Sequence, residues 1–145
     1  MPQALVLIPP EWLTPERLTA HLPASWTTGV MFVRPDGVQL QGPAFAWCID
    51  LSVMTDPDFS REDYETNEDV DPEFRRQVRG CIFFLVNFDD FTVVRRFIAE
   101  LLEALPGPSS QYWIDDDYGR VWRGDRFLAK LQVPEWDWRT DQRAP

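Results

Sequence analysis

Residues 80–105 read GCIFFLVNFDDFTVVRRFIAELLEAL, and this stretch decides the fold. Residues 80–86 form a continuous apolar run, which is typical of a central strand buried on both faces. From Phe91 to Leu105 the apolar residues recur at helical spacing, so we expect an amphipathic helix with Asp89 or Asp90 as its N-cap. A buried strand that leads into a core-facing helix predicts a sheet with helices packed against it.

Further strand and helix signals precede this stretch. Residues 4–8 predict a short buried strand, and Thr14 is placed to cap a helix that starts with proline. Residues 30–34 and 38–41 flank a turn signal, which indicates a β-hairpin. Residues 45–54 alternate bulky with small or polar side chains, which predicts a strand with one face on the core.

Short strands are also predicted downstream, at residues 111–114 and 120–122, on either side of a turn. A last short helix follows, and Trp136 and Trp138 beyond it are expected to seal the core. A polar tail covers about residues 139–145.

The chain of 145 residues has the length of a single domain, and no linker or internal repeat interrupts it. We therefore expect one domain over residues 1–145. Its element order predicts an α+β fold with a mixed, mostly antiparallel sheet and helices packed mainly on one face. The apolar run near the N-terminus is too short for a signal sequence or membrane span, and two cysteines suit a reducing compartment. The expected location is cytoplasmic, with no membrane contact.

Acidic residues outnumber basic ones by 24 to 14, for a formal net charge of −10. Residues 56–73 hold nine of those acids and one basic residue, Arg61, so this segment carries −8 and the rest of the chain only −2. With few aliphatic side chains, the segment is expected to be a long acidic surface loop. Such a field repels nucleic acid and attracts a basic partner, although acidity that serves solubility alone is an alternative.

Residue patterns with recognisable chemistry are missing from the sequence. His21 is the sole histidine, and neither Cys48 nor Cys81 has the neighbours of a zinc site or a catalytic thiol. The stretch from Asp115 begins like a calcium-binding loop, but Arg120 stands where such a loop has its invariant glycine. Phosphate-binding glycine motifs do not occur. We therefore expect no cofactor, no metal and no enzymatic activity.

Aromatic, glycine and aspartate positions in residues 112–139 carry a family resemblance. They are Tyr112, Trp113, Ile114, Asp115, Asp117, Tyr118, Gly119, Val121, Gly124, Asp125, Phe127, Leu131, Trp136, Asp137, Trp138 and Arg139. The pattern resembles the C-terminal part of small acidic immunity proteins of bacterial polymorphic toxin systems. The resemblance implies a cytoplasmic, non-enzymatic protein that binds and neutralises a cognate toxin by blocking its active site or its surface. Such toxins are often basic, which suits the acidic composition.

Charge and resemblance together assign the candidate toxin contacts. The acidic segment supplies Asp63, Tyr64, Glu65, Glu68, Asp69 and Asp71. A second patch at a predicted turn consists of Asp115, Asp116 and Asp117. Acids of this kind speed association with a basic partner, and an aromatic ring among them lengthens the residence time.

Three other functions stay open. A small hydrolase or transferase with an unfamiliar carboxylate site would use Asp50, Asp89 or Asp115, and would have a pocket with a strongly raised carboxylate pKa. A nucleic-acid mimic would space its acids like phosphates along one face. A structural subunit of a larger assembly would expose a large, flat apolar surface.

Overall fold

A computed structural model describes residues 3–54 and 57–141 of the chain. Its strands are β1 (Gln3–Ile8), β2 (Val30–Arg34), β3 (Gly37–Gln41), β4 (Cys48–Val53), β5 (Phe84–Phe88), β6 (Trp113–Asp115) and β7 (Val121–Arg123). Its α-helices are α1 (Pro15–Ala20), α2 (Pro57–Thr66), α3 (Pro72–Gln77), α4 (Phe91–Ala104) and α5 (Gly124–Leu131). Short 3-10 turns lie at Ala24–Trp26, Pro43–Phe45, Val78–Gly80 and Ser109–Gln111.

The seven strands form one sheet in the order β2-β3-β4-β5-β1-β6-β7. The predicted α+β class is confirmed. Every neighbouring pair of strands in this sheet is antiparallel. The helix α4 joins β5 to β6, which run in the same direction, and β1 lies between them and pairs with both. The strands β5 and β6 therefore do not form a parallel pair, and the sheet is antiparallel throughout where a mixed, mostly antiparallel one was predicted.

Alternate residues of β1 enter two separate cores. Leu5 and Leu7 belong to the larger core, which the helices α1, α4 and α5 cover. Val6 and Ile8 belong to a smaller core on the opposite face, under α2 and α3. The period of two along a strand divides the side chains in this way. Most of the helical cover thus lies on one face, as predicted, and the acidic segment covers part of the other.

Two helices begin where the capping residues in the sequence predict. The Thr14 side chain accepts a hydrogen bond from the Arg17 backbone N–H and caps α1, with proline at the first helical position. Asp90 caps α4 by accepting from the Val93 backbone N–H at 3.0 Å. The α4 stripe that includes Val94, Ile98 and Leu101 is buried against the sheet.

The predicted strand at residues 45–54 is shorter than expected. It begins at Cys48, and Phe45 is exposed instead of facing the core. Ala44 and Phe45 have φ values of 54° and 56°, so the chain turns left-handed there after the Gly42–Pro43 break. The apolar run at residues 80–86 becomes part of a strand only from Phe84, since Gly80 ends a 3-10 turn and Cys81 forms an isolated bridge with Pro10.

The prediction that residues 56–73 form a long acidic loop was wrong. In the described part of that segment, α2 and the start of α3 are helical, and only a short turn joins them. Pro72 fits the first turn of α3, and Asp71 caps that helix by accepting from the Glu73 backbone N–H at 2.8 Å. Composition favoured a loop because the segment has few apolar residues, whereas α2 is stabilised by contacts with the sheet.

The tail residues Trp136 and Trp138 seal the larger core, as predicted. Trp138 is fully buried, with its ring centroid 4.5 Å from that of Phe91 and 5.4 Å from that of Phe127. Trp136 packs edge-on against Trp122 at 5.5 Å. Residues 136–138 are therefore part of the core.

Replacing Trp138 with Ala is expected to lower the free energy of unfolding by about 3–5 kcal/mol, because a fully buried ring leaves a large cavity. Chemical denaturation of the full chain measures the change. Trp12→Ala is the matched control, since Trp12 is 38% exposed, and its expected cost is about 1 kcal/mol. Equal costs for the two substitutions would contradict a core sealed by the tail.

Candidate functional site

Two inward side chains hold the acidic helix α2 on the sheet. The Tyr64 ring stacks on Phe83 with centroids 5.5 Å apart and meets Phe74 edge-on at 5.4 Å. Its hydroxyl donates to Asp115 Oδ2 at 2.5 Å. One turn earlier, Arg61 Nη2 donates to the Cys81 carbonyl at 3.1 Å. Because residues three apart share a helix face, both side chains point to the sheet and the acids between them point away.

The outward side of this region is a surface of exposed acids. We call Glu62, Asp63, Glu68 and Asp69 the acidic surface; all four are exposed. None of them forms an ion pair with another residue in the described parts of the chain. Unpaired exposed carboxylates concentrate negative potential where a partner can reach it.

Two further predicted contacts have structural partners instead. Glu65 forms an ion pair with Arg79, whose Nε lies 2.9 Å from Glu65 Oε1. Asp71 is the N-cap of α3. The Arg79 side chain is exposed, so its ion pair with Glu65 adds little stability. The pair links the last turn of α2 to the 3-10 turn that follows α3.

The turn between β6 and β7 is organised by a buried carboxylate. Asp116 is fully buried and accepts from the backbone N–H groups of Tyr118 and Arg120, from Arg120 Nε at 3.1 Å and from Trp122 Nε1 at 3.0 Å. Arg120 also donates to the Trp138 carbonyl at 2.5 Å. A carboxylate with this many donors organises the fold. Asp116 was predicted as a toxin contact, and its burial removes it from any surface.

Its two neighbours differ in exposure. Asp115 is largely buried: Oδ2 accepts from Tyr64, and Oδ1 accepts from the Asp117 backbone N–H at 2.9 Å. Asp117 is exposed at the tip of the turn, with φ at 65°. Tyr118, next to it, also exposes its ring. Of the predicted second patch, only Asp117 is therefore free to meet a partner.

Burial raises the pKa of the Asp115 carboxyl above its ordinary value, and the Tyr64 hydrogen bond acts in the opposite direction. Burial also raises the pKa of the Tyr64 phenol, and the negative charge of Asp115 raises it further. The pKa of Asp117 is also raised, because the turn removes part of the water around this exposed carboxyl and the charge of Asp116 adds to the effect.

A cleft of about 400 Å³ lies between the α2–α3 connection and the β7–α5 region. One wall consists of residues 68–72, with Glu68, Asp69 and Asp71. The other wall consists of residues 119–121 with Arg123 and Arg126. An acidic wall from the first predicted stretch therefore faces a wall that carries three arginines, Arg120, Arg123 and Arg126.

The arginines of this cleft are the functional candidates that sequence reasoning missed. Arg120 bonds Asp116, and Arg123 pairs with Asp125 at 2.6 Å. Arg126 is exposed and forms no ion pair with the residues that the structure describes. The three arginines follow one another at intervals of three residues in the sequence. Because Arg120 precedes β7, Arg123 ends it and Arg126 lies in α5, no single periodicity predicts that they line the same wall.

Neither thiol has the properties of a nucleophile. Burial raises the pKa of the Cys81 thiol to about 11, and it donates to the Gln77 carbonyl. Burial also raises the pKa of Cys48. Both are therefore protonated at neutral pH. Among residues 3–54 and 57–141 there is no group of three or more histidine, cysteine or acidic side chains placed to hold a metal ion. Within the same ranges, no helix combines the length and apolarity needed to cross a bilayer.

Comparisons of the chain with models of protein families, with curated proteins and with solved structures found no match.

Replacing Tyr64 with Phe is expected to cost about 1.5–3 kcal/mol of unfolding free energy at neutral pH, because a buried carboxylate loses its donor. The folded-state pKa of this phenol lies above its ordinary value of 10.0. Its contribution is therefore complete below pH 10 and is lost as pH rises further. The stability gap between wild type and variant should shrink above that pH.

Denaturation curves from neutral pH to strongly alkaline pH measure this gap. Tyr118→Phe is the control, since its exposed hydroxyl makes no hydrogen bond with the described residues. A gap that is independent of pH, or an equal loss in the control, would contradict the assigned role of Tyr64.

Replacing Asp116 with Asn is expected to cost about 2–4 kcal/mol, because the Arg120 charge loses its buried partner. Asp117→Asn is the matched control: the residue is exposed, and Asn tolerates its left-handed backbone, so we expect a change within about 0.5 kcal/mol. Thermal or urea denaturation compares the two. Similar small effects in both variants would show that Asp116 does not organise the turn.

Proposed function

We propose that this protein is an immunity protein that binds a basic bacterial toxin through the acidic surface and neutralises it by covering its active site or a surface that it needs. The observation that carries the proposal is the display of four unpaired, exposed acids on a helix and its adjoining turn. The resemblance of residues 112–139 to immunity proteins supports the same assignment.

The rigidity of the acidic surface supports fast and specific binding. Because Tyr64 and Arg61 tie α2 to the sheet, the acids approach a partner without first having to order a loop. Negative potential on a fixed surface steers a basic partner into contact and raises the association rate.

The cleft beside the acidic surface supplies a place for specificity. A lysine or arginine of the toxin enters it beside Glu68 and Asp69, two of the residues that line the groove. Arg126 on the opposite wall repels a wrongly placed cation and can pair with an acidic residue of the partner. Tyr118, exposed at the rim, is an aromatic ring of the kind that anchors interfaces.

The enzyme alternative gains no support from the carboxylates named for it. Asp50 forms two hydrogen bonds with Arg34, and Asp89 Oδ1 accepts from the Cys48 backbone N–H at 2.9 Å. Asp115 has the raised pKa that an enzyme site would need, but it bonds Tyr64 and does not line the cleft. We therefore retain the binding function as the proposal.

A charge-removal variant tests the role of the acidic surface against the product of the gene immediately upstream. The variant combines Glu62→Gln, Asp63→Asn, Glu68→Gln and Asp69→Asn. We expect its association rate to fall by about tenfold or more and its salt dependence to flatten, because steering charge is lost. Stopped-flow association at two salt concentrations, with calorimetry for affinity, measures both effects.

A control variant removes the same number of charges elsewhere. It combines Glu11→Gln, Glu16→Gln, Glu103→Gln and Glu135→Gln, all at exposed positions outside residues 56–73. Equal slowing in the two variants would mean that net charge, and not this surface, attracts the partner. No binding by the folded wild-type pair would overturn the toxin assignment.

A further inference from the structure

Arg126 differs from the two other arginines of the cleft. Arg120 bonds the buried Asp116, and Arg123 Nε lies 2.6 Å from Asp125 Oδ1. Arg126 lines the same wall and is exposed, and its guanidinium forms no hydrogen bond or ion pair with the residues that the structure describes. Its charge is therefore the part of the arginine wall that the protein does not use internally.

Local structure does not account for this arginine. It lies in the first turn of α5, where the positive end of the helix dipole disfavours a cation. The adjacent Asp125 is held by Arg123, and no described acid, including Glu68 and Asp69 on the opposite wall, forms an ion pair with Arg126. The guanidinium thus stabilises neither its own helix nor the groove, and it is available to a partner.

The lining of the cleft favours a protein over a small molecule as its occupant. Six of the ten lining residues are charged. Small-molecule sites are lined mainly by apolar and aromatic side chains, with only a few polar groups. Arginine is enriched where proteins meet, and the rim of such interfaces is polar. The cleft therefore suits the side chains of a protein partner.

The balance of charge indicates which side chains these are. Each of the two paired arginines is balanced by the aspartate that it bonds. Glu68, Asp69 and Asp71 remain on one wall and Arg126 on the other, which gives three negative charges against one positive charge. Glu73 lies 3.9 Å from one of the paired arginines and adds a further negative charge. A complementary surface therefore carries several cations and one carboxylate, and the carboxylate meets Arg126.

We propose that Arg126 binds one carboxylate of the toxin and so selects among basic proteins. This inference rests on the proposed function and adds the residue that sets its specificity. A guanidinium holds a carboxylate through two parallel hydrogen bonds, which a lysine cannot reproduce. The acidic surface attracts basic proteins in general. A protein that places a cation against Arg126 is repelled, whereas the cognate toxin places an aspartate or glutamate there.

Substitutions at Arg126 separate this contact from electrostatic steering. Arg126→Gln makes the formal net charge of −10 more negative by one, so steering alone would keep association with a basic toxin as fast or make it faster. Loss of the paired carboxylate acts on the bound complex, so we expect the dissociation rate to rise by about tenfold. Arg126→Glu should raise it further, because two carboxylates then meet. A glutamate that faced only toxin cations would slow dissociation instead.

Stopped-flow association and dissociation of the full chain with the product of the gene immediately upstream measure both rates. Arg17→Gln is the matched control, because Arg17 is exposed in α1, forms no ion pair with the described residues and does not line the cleft. It removes the same charge and should leave the dissociation rate unchanged. Arg126→Lys keeps the charge without the planar fork and should restore only part of the lost affinity. Urea denaturation checks each variant, and we expect the Arg126 variants to unfold at the wild-type midpoint.

Unchanged dissociation of Arg126→Gln, or an equal rise in Arg17→Gln, would overturn the inference. Slower dissociation of Arg126→Glu would overturn it as well. The outcome for the proposed function is separate. If the charge-removal variant of the acidic surface associates slowly while Arg126→Gln dissociates like wild type, the toxin contact stands and only the role of Arg126 falls. A folded wild-type pair that does not bind removes both.

Discussion

The fold depends on the insertion of β1 between β5 and β6. This strand pairs with both neighbours, joins the four-strand and two-strand parts of the sheet, and buries alternate side chains in two cores. Because β1 has apolar side chains on both faces, both faces must be covered to keep them from water. The helices α4 and α5 cover one face amply. The other face is covered by α2 and α3, which come from a part of the chain rich in acidic residues.

That requirement explains how the acidic segment is both structural and exposed. Tyr64 and Val70 supply its apolar contacts with the smaller core, next to Phe74 directly after it, and Arg61 bonds the Cys81 carbonyl beside the sheet. Glu62 and Asp63 on α2 are free to be acidic because they face solvent. The helix α2 and the turn after it thus help to cover the sheet and also carry the charge on which the proposed toxin binding rests. The apolar core on this face of the sheet is therefore the smaller of the two.

The sequence predicted those elements whose signals are local. The caps at Thr14 and Asp90, and the periodic stripe of α4, depend on neighbours within one or two turns. The helix α2 escaped prediction because its stabilising contacts join Tyr64 to Phe83 and Asp115, which are distant in sequence. The same applies to the site. The acids were found by their charge, but the cleft forms only where residues 119–126 approach the acidic segment. The burial of Asp116 likewise depends on the folded turn, in which Arg120 and Trp122 bond its carboxylate.

The smaller core has an optical consequence. Trp113 is its sole tryptophan among the described residues, and the other buried indoles lie in the larger core. Its Nε1 donates to Gln77 Oε1 at 3.0 Å, and its ring centroid is 5.1 Å from that of Phe74 in α3. Local opening of α2 and α3 would expose this indole to water while the indoles of the larger core stay buried. A red shift confined to Trp113 fluorescence would therefore report loosening of the acidic side before the molecule unfolds.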